Sequence, residues 1–183
     1  MFNDSISKGQ FVIANPMVND HDFSRTVILI CEHSNYGSVG FIINKPMPNK
    51  VSDFIPSLQC DFKVYDGGPV EKHNLYFVHS RPDLISNSIK INENLYWSGE
   101  YDDLKKALAY GLIQEEEIRF YLGYAGWAKN QLKDEINGKN WTAFSNNINI
   151  FQNWNENFWK EQMKNISKES LFWINLPKNP SLN

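Results

Sequence analysis

The sequence predicts an α/β domain of the α+β kind, built on one mixed or antiparallel sheet, and three observations carry that expectation. Residues 26–31 (TVILIC) and 39–43 (VGFII) are short, β-branched and wholly apolar, the composition of buried strands rather than helices. Between them Ser34-Asn35-Tyr36-Gly37 supplies turn residues, with Asn35 and Gly37 able to take positive φ, so the pair reads as a tight hairpin in the middle of a sheet. Further along, apolar residues recur at helical spacing around Leu104, Leu132 and Phe158. At 183 residues the chain is one domain, 1–183, by the usual size prior, and long enough to bury roughly 70 % of its unfolded surface without staples.

Taken in order, residues 11–14 (FVIA) form a first short strand that Asn15-Pro16 ends. Asn19-Asp20-His21-Asp22 is a polar loop whose Asx side chains favour local turns. Pro46 cannot donate to a ladder and pushes Lys45 away from helical geometry, so pairing of the second hairpin strand should stop near Asn44. Residues 47–61 read as loop with a short helix through Val51, Phe54 and Ile55. Residues 62–65 and 75–78 are strands on either side of Asp66-Gly67-Gly68-Pro69, and residues 89–97 form a hairpin of half-buried strands.

Asp102 is placed to cap a helix whose Leu104, Ala107, Leu108 and Leu112 share a face, with Gly111 near its end. Residues 118–124 return to strand character, with Ile118, Phe120 and Leu122 alternating against Arg119 and Tyr121. A second helix over about 128–137 turns Leu132 and Ile136 inward and stops at Gly138. Residues 141–144 and 148–151 are candidate short strands. A last helix over about 154–166 buries Phe158, Met163 and Ile166 and shows Glu156, Lys160 and Lys164 to water. Leu171-Phe172-Trp173-Ile174 is too apolar to float free and should dock on the body.

Polar groups gather at the strand ends: Arg25 before the first hairpin strand, Glu32-His33 at its end, and Asn44-Lys45-Pro46 leaving the second. Together with Gly9-Gln10-Phe11, Asn15-Pro16, Phe23, Gly37 and Gly40, these residues resemble the opening of the YqgE/AlgH family of bacterial proteins. The resemblance continues through Gly67-Gly68-Pro69-Val70, Gly123-Tyr124-Ala125-Gly126-Trp127, Gln131-Leu132, Glu135 and Trp141, and so covers most of the chain. It departs mildly, with Lys45 where many relatives carry Arg and Asn15 where Met, Ser or Thr is common. The family implies a compact α/β domain whose sheet curls toward a pseudo-barrel with flanking helices. It has no agreed catalytic residues, so the catalytic set is unknown and none is carried over.

Composition excludes several function classes. A net charge of −3 with no block of like charge argues against direct, nonspecific DNA binding, which depends on neutralising phosphates. The N-terminus lacks a basic and an apolar export region, and no run approaches the roughly 18 apolar residues of a membrane helix, so a cytoplasmic protein is expected. Two cysteines, Cys31 and Cys60, have no metal-ligand spacing and read as reduced thiols, and no cofactor is implied.

Each candidate site has a structural alternative. Gly67-Gly68 either makes a turn needing positive φ or offers backbone N–H groups to an anion; the residues of a P-loop are missing. Glu32-His33, His73 and His79 lack zinc spacing, and neighbours on a strand point to opposite faces. No nucleophile elbow surrounds Ser24 or Ser34. Arg25 pairs with a carboxylate or awaits an anion. Gln131 and Glu135 either satisfy nearby backbone or line a cleft with Asn44 and Lys45. If a functional cleft exists, its floor is expected from Arg25, Asn44 and Lys45 facing the Gly67-Gly68 turn, with Gln131 or Glu135 at the rim. The first functional expectation is a non-enzymatic binding or regulatory protein, in line with a family linked by name to transcriptional control, acting through a protein partner or a small anionic ligand. The rivals are a small-molecule enzyme acting on an anionic substrate and a nucleic-acid binder.

Overall fold

The apolar runs have no polar side because both faces of their sheet are covered. The computed structural model describes residues 6–166 and Ile174. Among them lie ten strands: β1 (Phe11–Ala14), β2 (Val27–Ser34), β3 (Gly37–Ile42), β4 (Pro46–Lys50), β5 (Lys63–Asp66), β6 (Val70–His79), β7 (Ile89–Lys90), β8 (Tyr96–Trp97), β9 (Ile118–Ala128) and β10 (Trp141–Phe144). The helices are α1 (Val51–Phe54), α2 (Tyr101–Ala109), α3 (Gln131–Asn137) and α4 (Glu156–Ile166), with a 3-10 turn at Pro56–Leu58.

The main path of the sheet runs β10-β1-β2-β3-β9-β6-β8-β7, and β5 joins at β9 carrying β4. Every pairing is antiparallel except β5 with β9, so the sheet is mixed. The path ends at β10 and β7 without closing, and the sheet is not a closed barrel.

Alternate residues of each strand feed different cores. Phe11, Ile13, Leu29, Phe41, Tyr65 and Tyr121 face one side, where Phe158, Trp159 and Met163 of α4 and Ile174 pack on them. Val12, Ile28, Ile30, Ile42 and Ala125 face the other, covered by Leu132 of α3 with Trp127 and Trp141. A third cluster joins Val64, Ile118 and Phe120 to Leu104 and Ala107 of α2. Trp159, missing from the expected core face of the last helix, is the largest fully buried side chain among the described residues, and its indole N–H donates to the Ala14 carbonyl at 2.7 Å. Of residues 171–174 only Ile174 is described; it is fully buried in the first core.

The expected hairpin forms, with Ser34 opposite Gly37 across a two-residue turn. Cys31 is the extra residue of a bulge between Ile30 and Glu32. Gly37 takes φ +151, where a Cβ would lie 2.3 Å from the Trp127 carbonyl oxygen, while Asn35 needs no positive φ.

Several elements differ from the sequence reading. The stretch after Pro46 is not loop at first but β4: Pro46 opens it opposite Tyr65, a strand-start position where its missing N–H costs no ladder bond. The expected short helix follows as α1. Glu100, not Asp102, takes the N-cap position of helix α2, without a side-chain capping bond; Asp102 lies in the first turn, and Leu112 is half exposed because the helix ends at Ala109. Ala128 ends β9 rather than beginning α3, and residues 148–151 are irregular chain and turn rather than strand. Along β9 the alternation does not separate core from water, since Arg119 and Tyr121 are as buried as Ile118 and Phe120. Both faces of the first half of β9 are covered, with Tyr121 packed in the first core and Ile118 and Phe120 in the third.

Candidate functional site

Arg25, Asn44 and Lys45 meet at the end of the β2–β3 pair. Asn44 is fully buried; its Oδ1 accepts from the Val27 N–H at 2.8 Å and its Nδ2 donates to the Arg25 carbonyl at 3.0 Å. This amide clamps the turn into β2, where Arg25 is held at φ +57. The Arg25 guanidinium lies 5.5 Å from the ring centroid of Trp159 on α4. Lys45 Nζ donates to the Asp22 carbonyl, fastening the Asx-rich loop whose Asp20 carboxylate accepts from the N–H groups of Asp22 and Phe23.

The double glycine adjoins this group. The Asp66 N–H donates to the Lys45 carbonyl, and the Gly67 carbonyl accepts from the Ile42 N–H. Both glycine N–H groups are engaged: Gly67 to the Leu122 carbonyl at 2.9 Å, Gly68 to Asp66 Oδ1 at 3.2 Å. Lys72 bridges Asp66 (3.3 Å) and Asp22 (3.9 Å). Beside them a cavity of about 350 Å³ is lined by Lys45, Pro46, Met47, Pro48, Asp66 and Asn155.

Gln131 and Glu135 form a separate cluster on α3. Glu135 accepts from the indole N–H groups of Trp127 (3.0 Å) and Trp141 (2.7 Å) and from Gln131 Nε2 (2.9 Å), while Gln131 Oε1 accepts from the Ala128 N–H. Phe23 packs on both tryptophans, linking this cluster to the loop that Lys45 fastens. A second cavity, of about 400 Å³, lies at the hairpin tip between Glu32, Ser34, Tyr36, Tyr124 and Gly126.

The histidines do not converge. His33 meets Ser38 Oγ at 2.7 Å, and His73 is exposed. His79 is fully buried: its Nδ1 accepts from the Arg81 N–H, and its Nε2 faces the Ser98 carbonyl and Ser88 Oγ. Burial pushes its pKa down, so the native state holds it neutral. Stability should therefore be full above the unfolded value of about 6.5 and fall below it, by up to about 1.4 kcal/mol per pH unit. Urea titrations at pH 7.5 and 5.5 check this; in His79→Gln the part of the slope due to this residue should vanish. Cys31 and Cys60 are buried free thiols, both pushed up in pKa chiefly by burial. Among the described residues no group of three His, Cys, Asp or Glu side chains is placed to hold a metal, and no helix is long and apolar enough to cross a membrane.

Arg119 was missed as a site residue. It is 2 % exposed, its guanidinium sits 4.1 Å from the Tyr65 ring centroid, and Nη2 donates to the Gln152 carbonyl at 3.0 Å. The available signal was a lone charge in a strand whose neighbours on both sides are apolar.

The architecture and these strand-end clamps define a class: an open α/β sheet domain, covered on both faces, whose polar side chains at one end are ordered by neighbouring backbone. Residues 11–170 match the AlgH-like family model (DUF179), and the chain belongs to that family. The UPF0301 protein of Chlorobaculum parvum is 36% identical over 180 residues, covering 97% of this chain and 96% of the relative. That of Parabacteroides distasonis is 34% identical over 180 residues, covering 96% and 91%. The solution structure of the AlgH protein from Pseudomonas aeruginosa matches with a TM-score of 0.73 at 25% identity, over 97% of this chain and 99% of that one. A crystal structure of a Corynebacterium diphtheriae protein matches in fold with a TM-score of 0.77 at 22% identity, over 96% and 95%.

Proposed function

We propose that this AlgH-like protein is a non-enzymatic, cytoplasmic binding protein, one domain over 1–183, that influences transcription indirectly by recognising an anionic group on a partner or small ligand. The observation that carries the reading is the cavity of about 350 Å³ lined by Lys45 and Asp66, at the same strand ends where the Asn44 amide clamps the Arg25 backbone. Their geometry is fixed by backbone contacts before any ligand arrives, which lowers the ordering cost of recognition. Gly67 and Gly68 shape the neighbouring wall, while Gln131 and Glu135 stand on α3 beyond Phe23. Two buried reduced thiols suit a reducing compartment.

The test replaces the chromosomal copy by an Arg25→Met/Lys45→Met variant and compares its transcripts with those of a deletion strain, with thermal unfolding of the purified variant as control. A folded variant that reproduces the deletion profile is expected. A deletion that leaves transcripts unchanged overturns the regulatory reading, and a folded variant with the parental profile overturns the site. Duplex DNA of unrelated sequence should bind no tighter than micromolar at physiological salt, by fluorescence anisotropy, because a chain of net charge −3 displaces few counterions. A second reading, an enzyme acting on a small anionic substrate, draws on the same cavity, whose volume falls in the range of about 300–1,000 Å³ typical of ligand sites.

A further inference from the structure

On the α4 side of the sheet four buried polar atoms have no hydrogen-bond partner among the described residues: Arg119 Nε and Nη1, Tyr121 Oη and Trp97 Nε1. They share one sheet face, since Trp97 and Arg119 both lie opposite Val78, and Tyr121 is two residues along β9 from Arg119. The surrounding walls are aromatic. Tyr65 lies against the guanidinium, and Phe41 stacks on Tyr121 at 4.8 Å and meets Trp97 edge-on at 6.0 Å.

Three of the four atoms can only donate. Guanidinium and indole N–H groups only donate, and burial pushes the Tyr121 phenol up, keeping its proton at neutral pH. A water molecule placed here would satisfy donors but bring two donors of its own and leave the buried positive charge uncompensated. An acceptor carrying one negative charge answers both needs.

We propose that Arg119, with Tyr121 and Trp97, forms a buried site for a small monovalent anion, a halide or a simple carboxylate, enclosed between the sheet and the loop that holds Gln152. Nη2 stays on the Gln152 carbonyl while the anion takes the remaining guanidinium donors. Occupation ties the loop before α4 to β9, so the ligand stabilises the fold by mass action.

Thermal unfolding at constant ionic strength tests this, with sodium gluconate, too bulky to enter, replaced stepwise by chloride, bromide or acetate. The expected result is a saturating rise in Tm with at least one of these ions: chloride and bromide identify a free halide, acetate alone a carboxylate. Arg119→Met should abolish the rise, and Tyr121→Phe should raise the half-saturating concentration by about tenfold. Identical Tm in all four salts overturns the proposal, as does a folded Arg119→Met with the wild-type response. If Arg119→Met does not fold, Tyr121→Phe decides: a weakened midpoint supports the site and an unshifted one overturns it.

Discussion

Gly68→Ala is expected to cost about 3–4 kcal/mol of folding stability. Gly68 stands at φ +147, and a Cβ there would lie 2.3 Å from the Tyr124 carbonyl carbon and 2.4 Å from the Ala125 nitrogen. These are backbone atoms of β9, which is paired to β6 at Tyr124 and to β3 at Ala125, so they cannot step aside without breaking ladder bonds. Gly111→Ala is the control: it also has positive φ, +63, but nothing lies within 4 Å of the added methyl, and only the dihedral cost of about 1 kcal/mol is expected. Urea unfolding of both variants checks the pair. Equal losses would mean that close approach of strands is not what the double glycine is for.

Asn44→Ala should lower stability by about 3 kcal/mol, or Tm by about 6–12 °C in a chain of this size. The truncation leaves the buried Val27 N–H and the Arg25 carbonyl without partners. Asn44→Asp should recover little, because the carboxylate accepts from Val27 but cannot donate to Arg25, and it buries a charge. Differential scanning calorimetry of the three proteins measures the effect. A loss under 1 kcal/mol for Asn44→Ala would place water within reach of the amide, in the manner of an open ligand site rather than an internal clamp.

The candidate site was legible in part. Arg25, Asn44, Lys45 and Gly67 were singled out as strand-end groups, and the fold brings them together through the Asn44 amide and the Ile42–Gly67 hydrogen bond. What the sequence could not supply is the other half of each contact. Phe23 on Trp127 and Trp159 on Arg25 join residues far apart in the chain, and Glu135 is set between two indoles only by the turns that fold β9, α3 and β10 together. Arg119 was hidden for a related reason: alternation along residues 118–124 suggests one wet face, and only the packing of separate cores on the two faces of β9 shows that there is none.

By itself, the sequence determined most of the element types and the central hairpin, because strand and helix periodicities, the Ser34-Asn35-Tyr36-Gly37 turn and the stop at Gly138 are written in residues a few positions apart. Its widely spaced motifs also determined the family. Tertiary structure alone decided the strand order, the conversion of the stretch after Pro46 into β4, and the burial of Arg119. The physical reason is that each depends on which distant backbone offers a partner for a hydrogen bond or a wall against water. Local propensity is nearly indifferent to that choice, and the packed core fixes it.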